Sequence, residues 1–338
     1  MSAVIAGSKK LLAALVLMLL PIAAHAQSPL RVLPWNGYKA AVSLTFDDGL
    51  PIQLVVTLPE LNKRNMRGTF FLCPDNLELV SSWEAALFNQ EIGNHTNTHP
   101  HLTQIPEGDR ILEVAGARAY LEKTFERTVS SFAYPFEDSS PEVESDVSRF
   151  SFMARGYSEI LFITPASKID WYSIGSQVAR STYGFETYKG WIDQDVQRHA
   201  WVNVQYHGFN NLGYEPVPQS VFEQTLDYLH GQESSIWVAP FGEVGAYLRG
   251  EQIFEGATVT RSNDELVYDW QLPEGFPKGV VLKTRLSGHG RVFKHLQEIK
   301  PDKNGIYLVP LDCGEIFLVR EDRHEPHHET NSYARNRP

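Results

Sequence analysis

The run Ser43-Leu44-Thr45-Phe46-Asp47-Asp48-Gly49 decides the reading of this chain. Residues 40–46 read as an apolar strand that ends on two adjacent carboxylates and a glycine. Two anions at one strand end repel each other, and a bound cation relieves that repulsion. Further along, His95-Thr96-Asn97-Thr98-His99 sets two imidazoles four apart, on one side of a helical turn or a curled loop. One carboxylate with two imidazoles leaves a divalent metal open to water and substrate. Asp48, His95 and His99 are therefore the expected metal ligands. Asp47 then lies close to the metal without binding it, placed to take a proton from the water that the metal acidifies. The pattern points to a metal-dependent hydrolase.

Outward from this run, short apolar stretches alternate with helical ones. Strands are expected at 68–72, 131–134, 201–206 and 236–239, and helices at 52–65, 79–89, 107–127, 186–199, 217–230 and 244–250. Such alternation predicts a parallel sheet or barrel, with chemistry at the carboxyl ends of the strands. Asp47, Asp48 and His207 each follow directly on a predicted strand. From about Ile253 helical periodicity stops. Short β-type runs follow at 257–260, 266–270 and 279–286. Runs 306–311 and 315–319 flank Asp312-Cys313-Gly314 and read as a hairpin.

The first 26 residues read as a secretory leader: basic Lys9 and Lys10, a short apolar run, and the small-x-small signal Ala24-His25-Ala26. The run is short for a membrane span, and no cysteine follows it to carry a lipid. Export to the periplasm or the medium is expected, with no membrane span after cleavage. The expected division is a leader at 1–26, a main domain at 27–252, a small all-β domain at 253–320 and a disordered tail at 321–338. Three tail histidines (His324, His327, His328) lack surroundings that would orient them as metal ligands.

The formal net charge of −11 becomes more negative once Lys9 and Lys10 are removed. It argues against nucleic acid and against a polyanionic substrate; a neutral carbohydrate fits better. Cys73 and Cys313 read as two independent cysteines, with a disulfide as the alternative that an oxidising compartment allows. Trp171, Trp191, Trp201 and Trp237 read mostly as core and helix packing, although indoles also stack on sugars. His101 reads as a neighbour of the ligands or a surface group.

Thr45-Phe46-Asp47-Asp48-Gly49 followed by His95-Thr96-Asn97-Thr98-His99 resembles the first two motifs of the polysaccharide deacetylase (NodB-homology, carbohydrate esterase family 4-like) family. Ser131-Phe132-Ala133-Tyr134-Pro135-Phe136 stands where the third motif is expected, and Val204-Gln205-Tyr206-His207 resembles the fifth. The resemblance spans roughly residues 38–249. It implies a distorted (β/α) barrel that removes acetyl groups from sugars. It further implies Asp47 as general base, and Asp48, His95 and His99 as ligands of zinc, with cobalt, manganese or nickel as other candidates. The Phe136 backbone N–H would help hold the oxyanion, and His207 would be the acid that protonates the leaving amine.

Three departures mark a divergent member. Ala133 stands where the third motif begins with an arginine that orients the base, and Arg155 is the candidate replacement. The acidic residue of the fourth motif has only a faint match in Asp170-Trp171. Gln205 replaces an aliphatic residue. The expected substrate is an N-acetylated glycan. O-acetylated xylan, a silent glycan-binding role and hydrolysis of a small non-sugar amide are the alternatives.

Overall fold

The computed structural model describes residues 28–78 and 80–320. The expected leader and tail lie outside the described residues. The chain runs through β1 (Leu30–Val32), β2 (Ala40–Asp47), α1 (Leu58–Lys63), β3 (Thr69–Leu72), α2 (Val80–Ala86), β4 (Glu91–Asn94), α3 (Glu107–Ile111), α4 (Ala117–Phe125) and β5 (Ser131–Ala133). It continues with α5 (Pro141–Ser148), β6 (Met153–Arg155), β7 (Gln177–Val178), α6 (Phe185–Arg198), β8 (Trp201–Tyr206), α7 (Gln219–Gly231), β9 (Ile236–Val238) and α8 (Phe241–Glu255). The rest is β: β10 (Thr258–Ser262), β11 (Glu265–Asp269), β12 (Val281–Leu286), β13 (Gly290–Lys294), β14 (Gln297–Ile299), β15 (Ile306–Pro310) and β16 (Glu315–Arg320). π-helical turns at Gln53–Thr57 and Leu112–Gly116 lead into α1 and join α3 to α4.

The first sheet is parallel throughout, in the order β6-β5-β4-β3-β2-β8-β7. It closes on itself. Ile174 exchanges backbone bonds with Ala154 and Gly156 on the β6 side, and β7, just beyond it, pairs with β8. The closure is distorted because β2 shares one edge between two strands. β9 takes its start (Ala40↔Ile236) and β3 its end (Thr45↔Thr69). The fold is thus a distorted (β/α) barrel.

Every residue of β2 is buried, as expected for a parallel strand covered on both faces. The period of two survives in size and polarity. Val42, Leu44 and Phe46 join the cluster under α1, α6 and α7, with Phe70, Tyr206, Phe222 and Leu226. Ser43, Thr45 and Asp47 alternate with them. On β8 the same spacing sets Trp201, Asn203 and Gln205 on one face. Trp201 Nε1 donates to Ser43 Oγ at 3.0 Å, so these faces meet inside the barrel. The interior thus mixes the large Trp201 ring with small and polar side chains that lead to the chemistry at its carboxyl end.

The β-rich region forms a three-stranded antiparallel sheet, β1-β12-β15, and a five-stranded one, β10-β11-β16-β13-β14. The expected 306–319 hairpin does not form. β15 pairs with β12, whereas β16 pairs with β11 and β13. The turn at Leu311–Cys313, ended by left-handed Gly314, carries the chain from one sheet to the other. Local turn chemistry looks alike in both cases; the partner strand decides between them. The expected 244–250 helix is the longer α8, whose Phe241 joins the barrel residues Ala41 and Trp201 in one apolar cluster with Leu282, Val309 and Leu318. Cys73 and Cys313 are both free thiols that donate to separate carbonyls, those of Asn97 and Pro310. No helix among the described residues is long and apolar enough to cross a membrane.

Candidate active site

A cleft of about 400 Å³ opens at the carboxyl end of the barrel, lined by Asp47, Asp48, His95, His99, Gln205 and His207 among others. Consecutive strand residues face opposite ways, so two adjacent carboxylates reach one cleft only if the backbone turns between them. It does: Asp48 has φ +75° and Gly49 φ +69°. Aspartate tolerates this left-handed conformation better than most residues. The histidine loop uses the same device. Thr96 (φ +65°) and His99 (φ +59°) are left-handed, and the His99 N–H donates to Thr96 Oγ1.

Asp48 Oδ1 lies 3.5 Å from His95 Nε2 and 3.4 Å from His99 Nε2. The three ligand atoms fall within 4.8 Å of one another. Bonds of about 2.0–2.2 Å to a tetrahedral zinc imply ligand separations of about 3.3–3.6 Å. Both carboxylate–imidazole separations match, so Asp48, His95 and His99 can together hold a divalent metal. His95 Nδ1 is 2.8 Å from Ala133 O; a proton on Nδ1 bonds that carbonyl and leaves Nε2 as the donor, the arrangement metal-binding imidazoles adopt. Glu113 holds the loop from the second π turn. Its Oε2 accepts the N–H groups of Asn97 and Thr98, and Oε1 accepts the Thr98 hydroxyl.

Asp47 is 1% exposed and well supplied with donors. Arg155 Nη1 reaches Oδ1 at 2.9 Å, Nη2 reaches Oδ2, and Nη1 also donates to Thr45 Oγ1. Gln205 Nε2 donates to Oδ2 at 3.0 Å, while its Oε1 accepts from Ser176 Oγ. Burial works to raise the Asp47 carboxyl. The charge of Arg155, aided by His207 and His95, outweighs it and brings the carboxyl down to about 2.

His207 Nε2 is 3.5 Å from Asp47 Oδ2. Burial lowers its pKa, only partly opposed by Asp47 and Asp48, so the ring is neutral near pH 7. Its Nδ1 is buried with no partner, and its ring meets Tyr214 edge-on at 5.1 Å. Asp170 is not beside it and does not line the cleft; its carboxylate accepts the Tyr172 N–H. Phe136, left-handed at φ +60°, is 57% exposed. Its ring stacks on His101 at 3.9 Å and meets His99 edge-on at 4.6 Å. His101 also contacts Asp138. None of the four tryptophans considered above lines the cleft.

Residues 36–154 match the family model described as polysaccharide deacetylase. Over that stretch the chain is similar to the polysaccharide deacetylase family. A stretch of 79 residues is 38% identical to a peptidoglycan-N-acetylglucosamine deacetylase of Bacillus cereus, covering 22% of this chain and 28% of that protein. The match thus spans little more than a quarter of that relative. Among solved structures, the Xyl-CE4 domain of a multidomain xylanase from the hindgut metagenome of Trinervitermes trinervoides aligns at TM-score 0.44 and 16% identity, over 61% of this chain and 89% of that one. A family 4 carbohydrate esterase from Streptomyces lividans aligns at 0.44 and 18%, over 60% and 93%.

The arginine absent at Ala133 has a geometric counterpart. Ala133 and Arg155 are register partners across β5 and β6. Paired residues on neighbouring strands face the same side, so a guanidinium sent from Arg155 enters the space that one at Ala133 would fill. Sequence reasoning passed over Thr45, Gln53, Glu113, Ser176 and Tyr214. Thr45 and Gln205 lie two residues before Asp47 and His207, so strand periodicity alone would have placed their side chains beside the site.

Proposed function

We propose that this chain is a metal-dependent hydrolase that removes acetyl groups from a carbohydrate, with an N-acetylated glycan as the preferred substrate. The observation that carries the reading is the Asp48/His95/His99 donor set lying in one cleft with an Arg155-clamped Asp47 and a neutral His207. A divalent metal held by Asp48, His95 and His99, zinc by preference, would polarise the acetyl carbonyl and acidify the attacking water.

The remaining steps fall to the chain's own groups. Asp47 Oδ2 accepts two donors, Arg155 Nη2 and Gln205 Nε2, whereas Oδ1 accepts one, Arg155 Nη1, so Oδ1 has the freer lone pair to take the water's proton. A carboxyl with a pKa of about 2 does not keep that proton. His207, neutral and with Nε2 3.5 Å from Oδ2 of the same carboxylate, receives it and delivers it to the leaving nitrogen, which departs poorly as an unprotonated amine. The Phe136 backbone N–H is the proposed donor to the oxyanion. Acetate and a free amine result. The division into a catalytic region at 27–252 and a β-rich region at 253–320, and export directed by the first 26 residues, belong to the same proposal.

The test is acetate release from chitooligosaccharides, peptidoglycan fragments, poly-N-acetylglucosamine and acetylxylan, with and without chelator. Chelator-sensitive release from an N-acetylated glycan is expected, together with loss of turnover but not of metal in Asp47→Asn. Metal-loaded protein that releases acetate from none of them refutes the proposal; release from acetylxylan alone moves it to oxygen esters.

A further inference from the structure

Gln53 opens the first π-helical turn, shortly after the Asp47-Asp48-Gly49 turn, and its side chain is fully buried. Nε2 donates to two main-chain oxygens, Asp47 O at 2.7 Å and His207 O at 3.1 Å. These residues end neighbouring strands. The β2–β8 ladder closes with Phe46↔Tyr206, so one residue beyond its last rung the two strands are joined by the Gln53 amide instead of by each other. Both neighbours are acceptors, which fixes the amide's orientation. The arrangement is not the cheapest one. Gln53 Oε1 is buried with no partner, and an unpaired buried acceptor is destabilising.

We infer that Gln53 is a positioning residue that sets the spacing between Asp47 and His207. This rests on the reading of those two side chains as base and acid. Gln53 touches neither reacting group. It holds the carbonyl of the very residue that carries each one, so a main-chain shift at either strand end would change the 3.5 Å separation of Asp47 Oδ2 and His207 Nε2. A primary amide is the group that suits the task, because its two hydrogens meet two carbonyls. A carboxylic acid offers one hydrogen and a carboxylate none.

The experiment uses the full chain loaded with zinc and compares wild type with Gln53→Met, Gln53→Glu and Gln53→Asn. It reads kcat and KM on the glycan with the fastest acetate release, zinc affinity by chelator competition, and the His207 ring nitrogens by NMR, assigned with His207→Asn. A displacement of about 1 Å is worth about 100-fold in rate, so kcat of Gln53→Met should fall at least about 30-fold. KM and zinc affinity should stay within about twofold, the His207 resonances should move, and Gln53→Asn should retain more kcat than Gln53→Met. Gln53→Glu, which keeps the volume, carries the same test if Gln53→Met does not fold. The inference is overturned if kcat stays within about threefold with the His207 resonances unmoved, or if kcat falls only in step with zinc affinity. A wild type without turnover would refute the proposed function instead, and the NMR comparison would then judge Gln53 alone.

Discussion

Replacing Arg155 with methionine removes three hydrogen bonds at once, two to Asp47 and one to Thr45. It leaves a carboxylate that is 1% exposed with Gln205 as its remaining side-chain hydrogen-bond donor. In the wild type, burial alone would lift this carboxyl above 3.8; Arg155 is the largest of the influences that bring it to about 2. Without the guanidinium, burial is opposed chiefly by the two histidines, so the pKa rises. Breaking a buried ion pair by removing one partner costs about 3–5 kcal/mol of stability. The base also loses its two-point grip, and a misplacement of about 1 Å is worth about 100-fold, so kcat/KM for acetate release should fall by about that factor. Arg155→Lys keeps the charge but not the two-point grip and should fall between the two. Stability carries a second signature. The depressed carboxyl of the wild type contributes stability that is present above pH 3.8 and lost as pH falls towards 2. In Arg155→Met the carboxyl moves up towards or past its unfolded value, so this loss of stability at acid pH shrinks or reverses. Denaturation midpoints at pH 3 and pH 7 separate the two patterns. A metal-loaded Arg155→Met that keeps kcat/KM within about fivefold of wild type would refute the reasoning.

Glu251 on α8 is 2% exposed, its Oε2 has no partner, and burial followed by the charge of Glu255 lifts it from 4.5 to about 7. An acid raised on folding weakens the folded state as pH climbs from 4.5 to 7. Glu251→Gln should therefore gain up to about 3 kcal/mol at pH 8 and little at pH 4.5, read from urea midpoints at both. Glu113→Ala frees the Asn97 and Thr98 N–H groups that its carboxylate holds and should lower zinc affinity about 10- to 100-fold in chelator competition. Gln205→Leu restores the aliphatic residue expected from the family pattern but removes a donor to Asp47. A hydrogen bond to a charged group is worth about 1.5–3 kcal/mol, so kcat/KM should fall by at least about tenfold, and an unchanged value would argue against any part for Gln205 in holding Asp47.

Much of the barrel is legible in the chain because its strands are short apolar runs with strong boundaries. The expected 201–206 strand is β8 to the residue, and 40–46 misses only Asp47. β4 and β6 escaped. Glu91-Ile92-Gly93-Asn94 has a polar or glycine residue at three of its four positions, and Met153-Ala154-Arg155 is three residues long, with a buried arginine where a strand ordinarily carries an apolar side chain. Their pairing with β3 and β5 makes them strands, and single-sequence propensity does not see partners. The same holds at the site. Asp47, Asp48, His95, His99 and His207 come together from motifs, because each follows a strand or shares one loop. Gln53 and Glu113 reach the site from helical turns whose neighbours in sequence say nothing of it. Tyr214 arrives on a loop folded back so that the Gly208 N–H donates to the Tyr214 carbonyl.

The strand β1 sits at the start of the described chain yet forms one edge of a sheet built with β12 and β15. Ser287 Oγ reaches back to Pro29 O across 258 residues. Assembly of that sheet cannot follow the order of synthesis, since the first strand waits for partners made last. Closing so long a loop is slow relative to local pairing, so the barrel strands, whose partners lie nearer in sequence, can be in register before β1 docks. A chain truncated ahead of β12 would leave β1 with an unpaired edge, a surface prone to pairing with another chain. Docking of β1 thus reports that the chain has been made at least through β15.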